Sequence, residues 1–476
     1  MNAVLLGLVF ASLLGAKQGG PCTPSWVPSF AAYPPSSSDP DALNNEVRAL
    51  VAFDDGSGPA YFAGGGSFTP GGELIRGIMK RDGTSWSQLG SGLGGFNPTV
   101  NAMVVFDDGQ GPALFAGGGG FDSAGGVAAN RIARWDGADW SALGDGVDNS
   151  VNAFAVFDDG TGPALYAGGH FSSAGGVAAN CVARWDGSSW SALGSGLAGG
   201  VVKALATFDD GNGAALFVGG TFTSAGGVPA SRVARWNGTS WSAVGSGVTG
   251  AVHALTVFDD GSGAALYAGG GFGIPGAQRI ARWNGSSWSA VGTGIELDEP
   301  VYALHVFDDG SGPALYATGD FSTVMAPFRI ARWNGTSWSA LGSGLNDEGQ
   351  ALLAFDDGTG AGASLFVGGR FFSAPDSGDA FLARWQGCRD TLAPVIACPG
   401  PIVVDDSLAG PPGEVVTYSV SASDERDPSP ALVCVPASGS VFPPGLTRVT
   451  CTATDVAGNA TTCVFEVFVD RKIRRR

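Results

Sequence analysis

Histidine is scarce in this sequence: His170, His253 and His305 are the only three in 476 residues. They fall in three different stretches, which argues against a histidine-built metal centre. Positive charge is short as well. Twenty-five Lys and Arg face 43 Asp and Glu, for a formal net charge of −18. A nucleic-acid partner needs a basic surface, so that class is set aside. The longest apolar run near the start covers residues 3–16, too short to span a bilayer comfortably. H-E-x-x-H, G-x-S-x-G and phosphate-loop motifs are missing, and with them the commonest hydrolase and nucleotide signatures. No enzyme, metal or other cofactor is expected.

Glycine, by contrast, is abundant, with 79 residues, and it is periodic. One stretch recurs seven times. Its Phe-Asp-Asp landmark stands at Phe53, Phe106, Phe157, Phe208, Phe258, Phe307 and Phe355, at intervals of 53, 51, 51, 50, 49 and 48 residues. The fourth copy breaks into four short apolar runs: Val202 to Phe208, Ala215 to Gly219, Arg232 to Trp236 and Trp241 to Val244. Asp209-Asp210-Gly211-Asn212-Gly213 supplies turn chemistry between the first two, and Asn237-Gly238 between the last two. A four-stranded sheet of this kind cannot bury both faces alone. Stacking copies around an axis solves the problem, and a period near 50 residues fits a propeller blade.

The apolar run ending in Gly-Gly (Ala215 to Gly220), Trp236 and Trp241 together resemble the kelch repeat. The resemblance implies a seven-bladed β-propeller over residues 21–388. The seventh copy stops at Ala383-Arg384-Trp385-Gln386-Gly387 with no fourth strand. Ser25-Trp26 echoes the Ser-Trp that opens that strand elsewhere. Trp26 to Phe30 is therefore read as the missing strand, closing the ring as kelch-like propellers commonly do. Aligned on the repeat, Cys22 and Cys388 fall in one turn, where a disulfide would clasp the ring; two free thiols are the alternative. Arg81 replaces the third-strand Trp in the first copy. Cys181 is the odd cysteine, in a slot held by Arg131, Arg232, Arg279 and Arg329, and is read as unpaired.

Beyond residue 389 tryptophan disappears and four cysteines crowd together. Ala393-Pro394, Cys398-Pro399, Cys434-Val435-Pro436, Val449-Thr450-Cys451 and Ala457-Gly458-Asn459 resemble the hyalin repeat (HYR) module. That implies an immunoglobulin-like β-sandwich over 389–470, associated with extracellular adhesion. Four cysteines allow three connectivities. If the first strand runs beside the last, Cys398–Cys463 and Cys434–Cys451 follow. Cystines agree with an oxidising compartment. Residues 1–20 read as a signal peptide lacking a basic start, and 471–476 as a solvated basic tail. The whole is all-β: a propeller, then a small sandwich, in a secreted or cell-surface protein with no membrane span after signal removal.

Three places could carry chemistry. The Asp-Asp-Gly turns would share one rim, yet each offers too few oxygens for calcium, and plain turn chemistry is the preferred reading. The opposite face is where the copies disagree. The second residue of the first strand runs Arg48, Asn101, Asn152, Lys203, His253, Tyr302, Gln350. The residue after Gly-Gly, or after Thr-Gly in the sixth copy, runs His170, Thr221, Gly271, Asp320, Arg370. A constant scaffold with variable polar positions suits a ligand surface; neutral drift is the plainer alternative. Kelch-fold oxidases hold copper with His and Tyr, but no Tyr-His cluster is visible, and His305 occupies a strand slot taken elsewhere by apolar residues or Thr. Asn237, Asn284, Asn334 and Asn459 begin N-x-S/T sequons, the first three doubling as hairpin turns. The expected role is non-enzymatic binding of an extracellular protein or glycan. A carbohydrate-active enzyme and a structural spacer are the alternatives.

Overall fold

The computed structural model describes residues 24–30, 43–83, 85–274, 276–292, 299–321, 329–356, 362–387, 393–405, 413–424, 430–455 and 459–470. Cys22, Cys388, the apolar run 3–16 and the tail 471–476 lie outside them. The chain is all-β, and a single 3-10 turn at Pro70–Gly72 is the only helical element among the described residues.

Each of the seven copies forms one antiparallel sheet, numbered I to VII in chain order. Sheet IV shows the pattern: Val202–Asp209, Ala214–Gly220, Val233–Trp236 and Trp241–Ala243, paired in sequence order. Sheet VII takes three strands from its own copy, Gly349–Phe355, Ser364–Gly369 and Leu382–Gln386, and its fourth, Ser25–Val27, from the other end of the chain. There Trp26 lies opposite Trp385, as Trp241 lies opposite Trp236.

A single sheet leaves both faces apolar, and neighbours cover them. Each of seven hydrophobic clusters is shared by two successive sheets, including one in which Phe366 and Leu382 of sheet VII meet Tyr61 and Met79 of sheet I. The first strands touch in the same succession, and that of sheet VII touches that of sheet I. Burying one Leu or Phe fully is worth about 1.5–3 kcal/mol, so these clusters supply the driving force.

The Gly-Gly that ends the second strand sets the approach. A Cβ on its first Gly would strike the valine opening the next sheet: Gly64 against Val100, Gly168 against Val202, Gly219 against Val252 and Gly368 against Val47. One junction differs. Thr318 replaces that Gly in sheet VI, and sheet VII opens with Gly349 instead of Val; a Cβ there would meet the Thr318 hydroxyl. The volume has moved from one partner to the other.

Fourth-strand tryptophans bind neighbouring sheets. The indole N–H of Trp140, Trp190, Trp241, Trp288 and Trp338 each donates to a carbonyl of the preceding sheet at 2.8–3.0 Å. Trp26 does the same to Leu341, 315 residues away. Each such bond adds about 0.5–1.5 kcal/mol net. In sheet I the guanidinium of Arg81 stacks on Trp86 and Phe30 at 5.3 and 5.2 Å, taking the place of the missing third-strand indole.

Sequence reading missed the backbone at Cys181 and its equivalents. Arg131, Cys181, Arg232, Arg279, Arg329 and Phe381 all have φ between 54° and 69°. The turn aims the carbonyls of Arg131, Cys181, Arg232, Arg329 and Phe381 at the second Gly of the Gly-Gly pair, as in Gly169 N–H to Cys181 O at 2.9 Å. Cys181 is buried and unpaired.

The C-terminal part has one core, built from Val416, Phe442, Val449, Cys451, Phe465, Val467 and Val469. Its main sheet orders Ile402–Asp405, Ala460–Asp470, Gly445–Thr454 and Ala431–Val435, the first pair parallel. The disulfides are Cys398–Cys463 and Cys434–Cys451, the expected connectivity.

Two predictions follow from these contacts. Gly349→Val alone should destabilise the chain by about 1–3 kcal/mol through overpacking. Adding Thr318→Gly recreates the Gly–Val pair of the other junctions and should recover most of the loss, read from denaturant midpoints of the single and double variants. The second concerns Asp379, which is fully buried and accepts the amides of Ser29 (3.2 Å) and Phe30 (2.7 Å), fixing the N-terminal strand. Burial pushes its pKa up to about 6, against the pull of those amides. An unfolded aspartate ionises near 3.9. Between about pH 4 and 6 the folded chain therefore keeps a proton that the unfolded chain has lost, and this group's contribution to stability falls as pH rises. Asp379→Asn should remove that slope, seen as a thermal-midpoint difference from the parent that changes across pH 4 to 7.

Candidate functional site

Successive residues of a strand point to opposite faces. Each ring residue directly follows the Val, or Gly349 in sheet VII, that packs on the preceding sheet, and so points away from that contact. In the structure all seven meet. Arg48, Asn101, Asn152, Lys203, His253, Tyr302 and Gln350 line one cavity of about 410 Å³, together with Glu348.

The ring is chemically uneven. On one side its members satisfy one another. Arg48 pairs with Glu46 and donates to Asn101 Oδ1 at 3.2 Å. Gln350 donates to Glu348 Oε1 at 2.7 Å and to Glu46 Oε2 at 3.4 Å. Asn101 and Asn152 donate to the carbonyls of Val151 and Val202, each in the next sheet, at 3.4 and 2.9 Å. Glu46 and Glu348 were not singled out from the sequence. The available signal was an acid two residues before a ring position, hence on the same face of the strand.

The other side is Lys203, His253 and Tyr302. Burial lowers the Lys203 pKa, and no partner charge contributes to the shift. Burial, then the Lys203 charge, lowers His253 to about 4, so its imidazole is neutral at physiological pH. His253 and Tyr302 meet edge to face at 5.1 Å between centroids. A Tyr–His contact therefore exists, although the sequence displayed none; it unites residues 49 apart in neighbouring sheets. Burial, then Glu348 and Glu299, raises the Tyr302 pKa, so the phenol keeps its proton.

The second variable ring does not line this cavity. His170 is exposed, and its backbone N–H donates to Ser150. Thr221 accepts the Val201 amide at 3.0 Å. Asp320 pairs with Arg329. Arg370 reaches Glu348 at 3.6 Å and so touches the site indirectly. His305 stands apart: its Nε2 accepts the Ala354 amide at 3.2 Å, a structural bond between sheets VI and VII.

On the opposite rim, the Asp-Asp-Gly turns spend their oxygens internally. Asp107, Asp158, Asp209, Asp259 and Asp308 each accept two amides of their own turn. The next aspartate faces the Arg of Ala-Arg-Trp, as in Asp159–Arg184 at 3.3 Å and Asp108–Arg134 at 3.4 Å; Lys80 serves Asp55 at 2.6 Å. Burial opposes ionisation of Asp55, but Lys80 and Ser57 outweigh it and hold its carboxyl below the ordinary value. The sequon residues Asn237, Asn284 and Asn334 likewise accept amides of their own turns.

A larger cavity, about 800 Å³, lies between sheets IV and V beside Trp283 and Trp288. It is lined largely by scaffold residues that recur in other copies. In sheets III and IV a small Ala-Gly-Gly hairpin covers the equivalent tryptophans, with Gly175 over Trp190 and Gly226 over Trp241. The sheet V connection is shorter, so this space follows from a shortened loop.

The HYR domain family model matches residues 389–469. No curated protein matches the chain. Among solved structures, the chain is similar to the extracellular domain of the hybrid two-component system BT4673 from B. thetaiotaomicron. That match has 10% identity over 94% of this chain and 59% of that one, with a TM-score of 0.40. It is also similar to the corresponding domain of BT3049 from the same bacterium, 10% identical over 90% of this chain and 56% of that one, TM-score 0.38. The chain thus spans little more than half the length of these structures.

The charge arrangement at the ring is directly measurable. The His253 imidazole should titrate near pH 4 by NMR. Lys203→Met should raise that midpoint while leaving it below the ordinary histidine value, because burial is the larger cause.

Proposed function

We propose that sheets I to VII are the blades of a seven-bladed kelch-like propeller over residues 21–388, closed by the N-terminal strand and followed by an immunoglobulin-like HYR module. The protein is a secreted or cell-surface, non-enzymatic binding protein. Its ligand, a glycan or an extracellular protein, engages the ring at the channel mouth. The observation that carries this reading is the contrast at equivalent positions. Turn aspartates, Ala-Arg-Trp and Ser-Trp-Ser recur, while the second residue of the first strand is Arg, Asn, Asn, Lys, His, Tyr and Gln, and all seven converge on one cavity.

Two further facts support the setting. The HYR match belongs to a module of extracellular adhesion, and both of its cysteine pairs are oxidised. No helix among the described residues is long and apolar enough to cross a membrane. A binding role also suits the cavity's acids, since Glu46 and Glu348 are each tied to an arginine. The signal peptide, the absence of a cofactor and the lack of catalysis belong to the same proposal.

The test replaces Arg48, Lys203, His253 and Arg370 together with Ala and screens parent and variant on glycan arrays and against extracellular protein fractions. Binding by the parent that falls at least tenfold in the variant supports the reading. Turnover of a polysaccharide, lost in the same variant, would instead establish the carbohydrate-active enzyme. Equal behaviour of the two chains in every assay leaves a structural spacer.

A further inference from the structure

We propose that the Lys203–His253–Tyr302 side of the ring is an oxyanion subsite and that the ligand is an acidic saccharide, its carboxylate or sulfate ester seated on Lys203. This deepens the channel-mouth reading and rests on it.

Lys203 is set apart by charge balance around the cavity. Two of the cations around it are neutralised by the chain itself: Arg48 by Glu46, and Arg370 by Glu348 at 3.6 Å. Lys203 has no carboxylate in ion-pair reach among the described residues, although it is half-buried in a chain carrying 18 surplus negative charges. A half-buried ammonium without a counter-ion is costly, and acids are plentiful in this sequence. The blade-equivalent position is free to vary, and other copies place neutral Asn or Gln there. The charge is therefore retained against a local cost that an anionic ligand would offset.

The neighbours have the matching polarity. His253 and Tyr302 meet edge to face and both line the cavity; a neutral imidazole carries one N–H and a phenol one O–H. With Lys203 they make a donor-rich arc, which suits the oxygens of a carboxylate or sulfate. Beside Tyr302 the lining changes to an acceptor and an amide, Glu348 and Gln350, which suit sugar hydroxyls. A ligand charged at one end and hydroxylated at the other fits both sides. The volume, about 410 Å³, is in the small-ligand range of roughly 300–1,000 Å³.

The experiment uses the full secreted chain and isothermal titration calorimetry. The probes are digalacturonate, its methyl ester and galactose 6-sulfate. The expected result is binding of digalacturonate, of the sulfated sugar, or of both, with the uncharged ester at least tenfold weaker. Binding of only one acidic probe assigns the anion as carboxylate or as sulfate. Lys203→Met should abolish the preference for charge while its thermal midpoint stays at or above the parent's, and Lys203→Arg should retain the preference. The His253 ring-proton resonances should shift on titration with the acidic probe and stay still with the ester. Equal binding of acid and ester, or undiminished acid binding by Lys203→Met, overturns the subsite, as does the lack of binding by either acidic probe. If neutral glycans bind and only the four-residue variant loses them, the channel-mouth reading survives without the subsite. If that variant loses nothing, both fall.

Discussion

Every junction between successive sheets depends on bare backbone meeting a small side chain. The valine that opens one sheet rests on the Gly-Gly of the sheet before it, at a separation that no Cβ would permit. This contact brings the first strands together, and the rest follows from it. The hydrophobic clusters can close only when the sheets are this near, and the fourth-strand indoles reach the neighbouring carbonyls only across the same gap. The Thr318–Gly349 junction shows that the summed volume is fixed and the identity of the bulkier partner is not. Close packing tolerates a trade of volume across a contact better than a gain of it.

Much of this was legible because the chain repeats. The strand bounds read for the fourth copy agree with sheet IV to within one residue at each end. The strand expected at Trp26 to Phe30 is found at Ser25–Val27, and Phe30 turns away to cover Arg81 and Trp86. The HYR cystines followed from strand adjacency. What stayed hidden had no side-chain signature. Nothing about Arg131, Cys181 or Phe381 announces a left-handed backbone, because the demand comes from the carbonyl's partner in another strand. The Asp–Arg pairs were hidden for a similar reason, since both members looked sufficient as turn and strand residues by themselves.

The candidate site was legible by position and illegible by chemistry. Comparing copies located the seven ring residues. It could not show that Arg48 is neutralised while Lys203 is not, because charge balance is a property of spatial neighbours. Nor could it separate the second variable ring, whose members Asp320 and Arg370 spend their charge on Arg329 and Glu348. The molecule divides its labour clearly. Aspartate turns, arginines and paired tryptophans hold the sheets, and the turn aspartates and fourth-strand indoles spend their polar atoms locally. The ring residues carry little of that load, so their identities can change while the sheets stay in place.

The borrowed fourth strand of sheet VII also orders events in time. Ser25–Val27 leaves the ribosome first, yet its partner, Leu382–Gln386, and the Leu341 carbonyl that receives Trp26 are made hundreds of residues later. Through most of synthesis an apolar, aromatic segment has no place to dock. Sheets I to VI can each form from contiguous chain as they emerge, while the last junction waits for both ends. Formation of the sheets is thus local for I to VI and long-range for VII, and the long-range pairing is the slowest to form. Its integrity reports on the whole chain, because a truncation anywhere before residue 386 leaves the first strand without its partner.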